Sequence, residues 1–145
     1  MTGPAAVDTG RLMEQLSMAL GAYYGDFTAA AGREHLTASQ AKTLTVLRRG
    51  PAAMRVLAET LACDASNMTG IIDRLEKRAL VRREPSPGDR RVKNVVITPD
   101  GERAIDTIRA GMHTTLAGLA TLDDGDRAIL HALLDRVFAA RPASD

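Results

Sequence analysis

Apolar residues recur at three- and four-residue steps along most of this chain. Between Arg11 and Ala31 the positions Leu12, Leu16, Ala19, Leu20, Tyr23 and Phe27 form one stripe, the period of a helix with a single face out of water. Gly32 is expected to end it. Thr37 and Gln40 have the spacing of a capping box and predict a second helix through Ala41, Leu44, Val46 and Leu47 to Arg49, stopped by Gly50-Pro51. A short helix over Met54 to Leu61 follows. After the break Ala62-Cys63, Asp64 is an N-cap for a third, running from Ala65 to about Arg78 with Met68, Ile71, Ile72 and Leu75 inward.

The period changes after Leu80. Val81 to Glu84 and Lys93 to Thr98 carry β-branched residues, and Pro85, Pro87 and Gly88 between them are turn formers, so a β-hairpin is expected. Thr98-Pro99 reads as an N-cap followed by proline in the first turn, with Asp100 and Glu102 at the positive end of a long helix continuing through Ile105, Ile108, Met112, Leu116 and Leu119. Asp123 to Asp126 interrupts it. Ile129, Leu130, Leu133, Leu134, Val137 and Phe138 then form a last apolar stripe. The expectation is a mainly α chain of six helices and one hairpin. The first, fifth and sixth helices carry stripes that need a partner surface, and a second copy of the chain is the expected one.

Composition narrows the class. At 145 residues, 45% apolar and 26% charged, the chain is expected to form one globular domain, with loose ends at 1–7 and 142–145. It contains no run of about 20 apolar residues and no basic start before an apolar block, so no membrane is expected and a cytoplasmic location is. The one cysteine, Cys63, has no partner for an internal disulfide. A formal net charge of +1 does not announce a nucleic-acid partner; only the distribution of charge does.

That distribution is uneven. From Arg74 to Lys93 the cations Arg74, Lys77, Arg78, Arg82, Arg83, Arg90, Arg91 and Lys93 face only Glu76, Glu84 and Asp89, a local excess of +5 that leaves about −4 for the rest. In a helix-turn-helix the first helix braces the second, whose outward side chains reach base edges in the major groove. Leu57, Ala58 and Leu61 would supply the brace; Ser66, Asn67, Thr69, Gly70, Asp73, Arg74 and Lys77 would face outward. Ser66 and Thr69 suit phosphates or bases, Asn67 an adenine edge and Arg74 a phosphate, while Gly70 permits a close approach. At the hairpin tip Arg90 and Arg91 suit a narrow minor groove, and Asp89 is expected to orient an arginine through a side-chain pair.

Leu57-Ala58-Glu59, the run Asp64 to Glu76, Leu80-Val81-Arg82-Arg83, Asp89-Arg90-Arg91 and Val96 to Gly101 together resemble the MarR family of winged-helix transcriptional regulators, over nearly the whole chain. The resemblance implies a homodimer, with dimerisation helices at 8–32 and 99–140 and a winged helix-turn-helix lobe at 36–98 whose hairpin is the wing. It also implies binding to a pseudo-palindromic double-stranded DNA operator, usually as a repressor. By position, Ser66, Asn67, Thr69, Gly70 and Arg74 would lie at the major groove and Arg91 in the minor groove. Half-sites about 34 Å apart would suit a two-fold dimer.

Many members of that family release DNA when a small anionic aromatic compound binds between lobe and dimer region. Tyr23, Tyr24, Phe27 and His35 would lie near that crevice, although aromatics at helical spacing are commonly core. Cys63 leaves a redox-responsive reading open, against a structural thiol in a turn usually filled by an apolar residue. His35, His113 and His131 are too dispersed in sequence for a metal site, and no cofactor is expected. No phosphate-cradling glycine loop or nucleophile elbow points to an enzyme. A winged helix that binds proteins instead of DNA is a further class, but it would not need the basic concentration.

Overall fold

The computed structural model describes residues 6–139. Apart from Ala6 and Val7, the expected loose ends therefore lie outside the described residues. The order is α1 (Thr9–Arg33), α2 (Ala38–Leu47), β1 (Ala52–Ala53), α3 (Met54–Thr60), α4 (Ala65–Lys77), β2 (Val81–Pro85), β3 (Lys93–Ile97), α5 (Pro99–Ala110), α6 (His113–Ala120) and α7 (Asp124–Phe138). The fold is mainly helical with a small antiparallel sheet, as expected for a winged helix.

Five N-termini are fixed by side chains that accept the first free N–H groups. Asp8 accepts from Arg11, Asp64 from Asn67 and Asp123 from Asp126. Thr37 and Gln40 form the expected reciprocal box, at 3.0 and 3.2 Å. Thr98 caps α5 ahead of Pro99 by accepting from the Gly101 N–H.

The C-termini depart from expectation. Helix α1 passes through Gly32 to Arg33, and His35 takes the left-handed φ of 56° instead. The Leu36 N–H then returns 3.0 Å to the Ala31 carbonyl and its side chain enters the core. The same closure ends α3, where Ala62 has φ 51° and Cys63 N–H reaches Ala58, and α4, where Ala79 has φ 56° and Leu80 N–H reaches Leu75. Each is a helix stop in which a left-handed residue is followed by an apolar one that packs back on the helix. None of the three uses glycine, so a glycine search cannot find them.

A further correction concerns the long helix after Pro99, which breaks at Gly111–Met112 and leaves seven helices among the described residues. The Gly111 N–H closes on Thr107 and Ile108, Met112 is buried, and α6 starts at His113. Apolar spacing continues across this break, which is why periodicity reads through it. The sheet also gains a strand. β3 lies between β2 and β1, with Ala52 opposite Val95 and Val81 opposite Ile97. Two alanines between Pro51 and a helix carry no strand signal.

The described residues divide between Met112 and His113 into two compact units. In the first, Leu44, Leu57, Ile72, Leu75, Val95 and Ile108 are essentially inaccessible, and Phe27, Ala30 and Ala31 at the end of α1 join the same core. Gly101 sits so close to β3 that a Cβ there would meet the Leu80 carbonyl and stand 2.7 Å from Ile97 Cγ1. The second unit holds α6 and α7, in which no helical residue is buried.

Candidate nucleic-acid interface

Helix α4 begins at Asp64, whose carboxylate accepts the Asn67 N–H at 2.7 Å and the Ser66 hydroxyl at 2.8 Å. Those two bonds, the Asn67 amide first, hold the Asp64 carboxyl below its ordinary range. A negative charge therefore stands at the positive end of the helix. Beyond it Ser66, Asn67, Thr69, Asp73, Arg74 and Lys77 are exposed and Gly70 is half-buried. Ser66 and Thr69 already commit their hydroxyl protons, to Asp64 and to the Ala65 carbonyl at 2.9 Å, so they present lone pairs outward. A Cβ at Gly70 would meet only Arg74 Nη1, at 3.9 Å, leaving that surface open.

Asp73, expected to face outward, is exposed but bonded: its Oδ1 lies 2.6 Å from Arg83 Nη2. Arg83 Nη1 also donates to Glu76 Oε1 at 2.5 Å, and the Arg83 backbone N–H reaches Glu76 Oε2 at 3.1 Å. The Asp73 hydrogen bond first, and Glu76 with it, raise the Arg83 pKa above its ordinary value, against a desolvation that lowers it. This two-carboxylate clasp ties β2 to the outer turn of α4 and sets the hairpin beside the helix.

At the hairpin tip the Ser86 N–H donates to the Val92 carbonyl at 2.8 Å and the Val92 N–H to the Asp89 carbonyl at 3.1 Å. Asp89 Oδ1 accepts the Arg91 backbone N–H at 2.9 Å. The acid thus organises the turn through the backbone and not, as expected, through an arginine side chain. Arg90 and Arg91 occupy the two corner positions of that turn, exposed.

The basic excess can now be sorted. Arg83 is spent on Asp73 and Glu76, Arg82 on Glu84, and Arg78 on the carbonyls of His35 and Glu34. Of the eight cations between Arg74 and Lys93, the remaining five, Arg74, Lys77, Arg90, Arg91 and Lys93, have no carboxylate partner among the described residues. All are exposed, on α4 or on the hairpin.

A cavity of about 210 Å³ opens between α1, α2 and α3, lined by Tyr23, Tyr24, Phe27, Lys42, Thr45, Val46, Thr60 and Leu61. Tyr23 stacks on Phe27 with centroids 6.3 Å apart and meets Tyr24 edge-on at 6.1 Å. Lys42 Nζ stands 4.2 Å from the centre of the Tyr24 ring. The sequence reading brings three aromatics here but misses Lys42, which carries no local motif and arrives only through the packing of α2. His35 does not line the cavity, because its left-handed turn leaves it exposed at the end of α1. Cys63 is half-buried and lines a separate cavity, of about 440 Å³, with Met54, Ala58, Ala62, Ala65 and Thr69. Its place as the apolar residue closing α3 accounts for it structurally.

The profile of the MarR family matches residues 36–93. The HTH-type transcriptional repressor NicR of Pseudomonas putida is 34% identical over 114 residues, covering 77% of this chain and 72% of that protein. Among solved structures, wild-type MarR from E. coli in its apo form superposes with a TM-score of 0.66 at 25% identity, covering 92% of this chain and 98% of that one. BpsR of Bordetella bronchiseptica, described with a mechanism for regulation of its DNA binding by 6-hydroxynicotinic acid, has the same fold, at a TM-score of 0.63, 24% identity and coverage of 97% and 100%.

Proposed function

The chain belongs to the MarR family of transcriptional regulators, and from that premise we propose that it binds a pseudo-palindromic DNA operator as a homodimer and represses transcription. Helix α4 enters the major groove, where Asn67 and the outward lone pairs of Ser66 and Thr69 meet base edges, with Gly70 leaving room. Arg74 and Lys77 hold phosphates, and Arg90 and Arg91 enter the flanking minor groove. The observation that carries this reading is that α4 and the hairpin together carry five exposed cations, Arg74, Lys77, Arg90, Arg91 and Lys93, that no carboxylate of the described residues pairs. An interaction module without DNA would not keep them unpaired at one edge.

The dimer follows from the apolar residues left in water on α1, α6 and α7, including Leu12, Met18, Leu116, Ile129 and Phe138. Among the described residues no helix is long and apolar enough to cross a membrane; a second copy is the natural cover for these faces, and binding of the operator places the protein in the cytoplasm. The cavity beside α1 is the effector site. Its stacked aromatics take a planar ring and Lys42 takes a carboxylate, the chemistry also present in the 6-hydroxynicotinic acid that regulates BpsR. Binding there releases the operator.

Selection of bound fragments from sheared genomic DNA by the purified protein, followed by footprinting, tests the DNA reading. Enrichment of sites with two-fold symmetry and half-sites about one helical turn apart is expected. Recovery of fragments in proportion to their abundance would overturn it. For the effector, benzoate and 6-hydroxynicotinate are titrated against the operator complex with wild type and Lys42→Ala. Release by either acid that is lost in the variant is expected; release unchanged by the variant would remove Lys42 from the site.

A further inference from the structure

Arg78 is counted among the cations of the recognition helix, but its side chain points elsewhere. It is the C-cap of α4, and its guanidinium spans two successive carbonyls at the end of α1, Nη1 to His35 at 2.8 Å and Nη2 to Glu34 at 3.1 Å. Both helix ends here stop on a left-handed residue, His35 after α1 and Ala79 after α4. Each stop leaves carbonyls that the helix itself does not satisfy, and each carries the negative end of a helix dipole. A planar cation between them answers both needs, and its fork matches two adjacent oxygens in a way an ammonium cannot. The end of α1 is held a second time, by Arg33, whose own guanidinium donates to the Gly111 carbonyl past the end of α5.

We propose that Arg78 is a positioning residue for operator binding: it locks the C-terminal end of the recognition helix onto the end of α1 and makes no phosphate contact of its own. With the Arg83 clasp on Asp73 and Glu76, this holds α4 on two sides, to the hairpin and to α1. The helix it grips is the one that carries Tyr23, Tyr24 and Phe27, so the clasp joins the cavity wall to the DNA-reading element. The proposal rests on the DNA-binding reading above.

The test compares Arg78→Lys, Arg78→Gln and Lys77→Gln by fluorescence anisotropy on the operator over a salt series. Hydrogen exchange of Leu36 and Leu80 is followed alongside. Both Arg78 variants should weaken binding by about threefold to tenfold, with the slope of log K against log salt unchanged. Lys77→Gln should lower that slope by about 0.9. Faster exchange of Leu36 and Leu80 in both Arg78 variants, without DNA, reports the opened clasp. Full affinity in Arg78→Lys with a slope reduced by about 0.9 in Arg78→Gln would make Arg78 a phosphate contact and overturn the proposal. Unchanged affinity in both variants would overturn it too. A wild type that binds no symmetric site fails at an earlier step: it removes the DNA reading and this proposal with it, whereas variant data decide only the role of Arg78.

Discussion

The unit ending at Met112 and the unit holding α6 and α7 are built from similar apolar fractions and end up in opposite conditions. In the first, Leu44, Leu57, Ile72 and Leu75 are sealed against one another and the sheet, so the unit carries its own core. In the second, Ile129 remains 61% exposed and Phe138 60%, and a groove of Leu119, Leu122, Leu130 and Leu134 faces out with Arg127 and His131. Two helices without a third layer cannot enclose their apolar faces. A periodic stripe therefore states that a helix has a face to hide, and leaves open whether the chain itself hides it.

The contrast breaks most sharply under truncation. Ile72→Ala in the lobe should cost about 2–5 kcal/mol in urea denaturation, because the site is fully enclosed and a cavity remains. The double change Leu130→Ser and Leu133→Ser should leave the lobe's near-native spectrum intact and convert the dimer to monomer at micromolar concentration, read by sedimentation. A dimer that survives would place the interface elsewhere. Arg91→Ala should come next, weakening operator binding about tenfold, or ~1.4 kcal/mol, with no change in melting temperature. Equal affinity would remove the hairpin tip from the interface.

Smaller effects sharpen the account of the lobe. Ala79 holds φ 56°, so Ala79→Gly should stabilise by about 0.5–1 kcal/mol in thermal unfolding, even though it removes a side chain. Asp64 should matter least and only in acid. Its folded pKa lies below the ordinary 3.8, so its contribution is complete above that value and fades as pH falls through the lower, folded one. Asp64→Asn keeps an N-cap without a titrating charge and should flatten that part of the acid limb. An acid limb identical to wild type would assign the sensitivity to other carboxylates.

Much of the lobe is legible from residue types alone, since its signals are local. Thr37 with Gln40, Asp64 before α4, and Thr98-Pro99 before α5 are caps whose partners lie three residues away. The exposed face of α4 follows once Met68, Ile71, Ile72 and Leu75 are assigned inward. The stops at His35, Ala62 and Ala79 are hidden because alanine has no left-handed preference and histidine only a weak one; the packing of Leu36, Cys63 and Leu80 selects that conformation. Strand β1 is hidden for a related reason, as Ala52 and Ala53 become a strand only because β3 offers an edge.

The amino-acid order by itself determined the winged-helix pattern, the caps and the concentration of basic residues between Arg74 and Lys93. Tertiary structure decided which of those cations remain unpaired. Side chains separated in sequence meet only after the backbone folds, so Arg83 is claimed by Asp73 and Glu76, Arg78 by two carbonyls of α1, and Lys42 is brought to the aromatic cavity. Charge can be counted along a chain, but its neutralisation depends on distances of a few ångström that only packing sets.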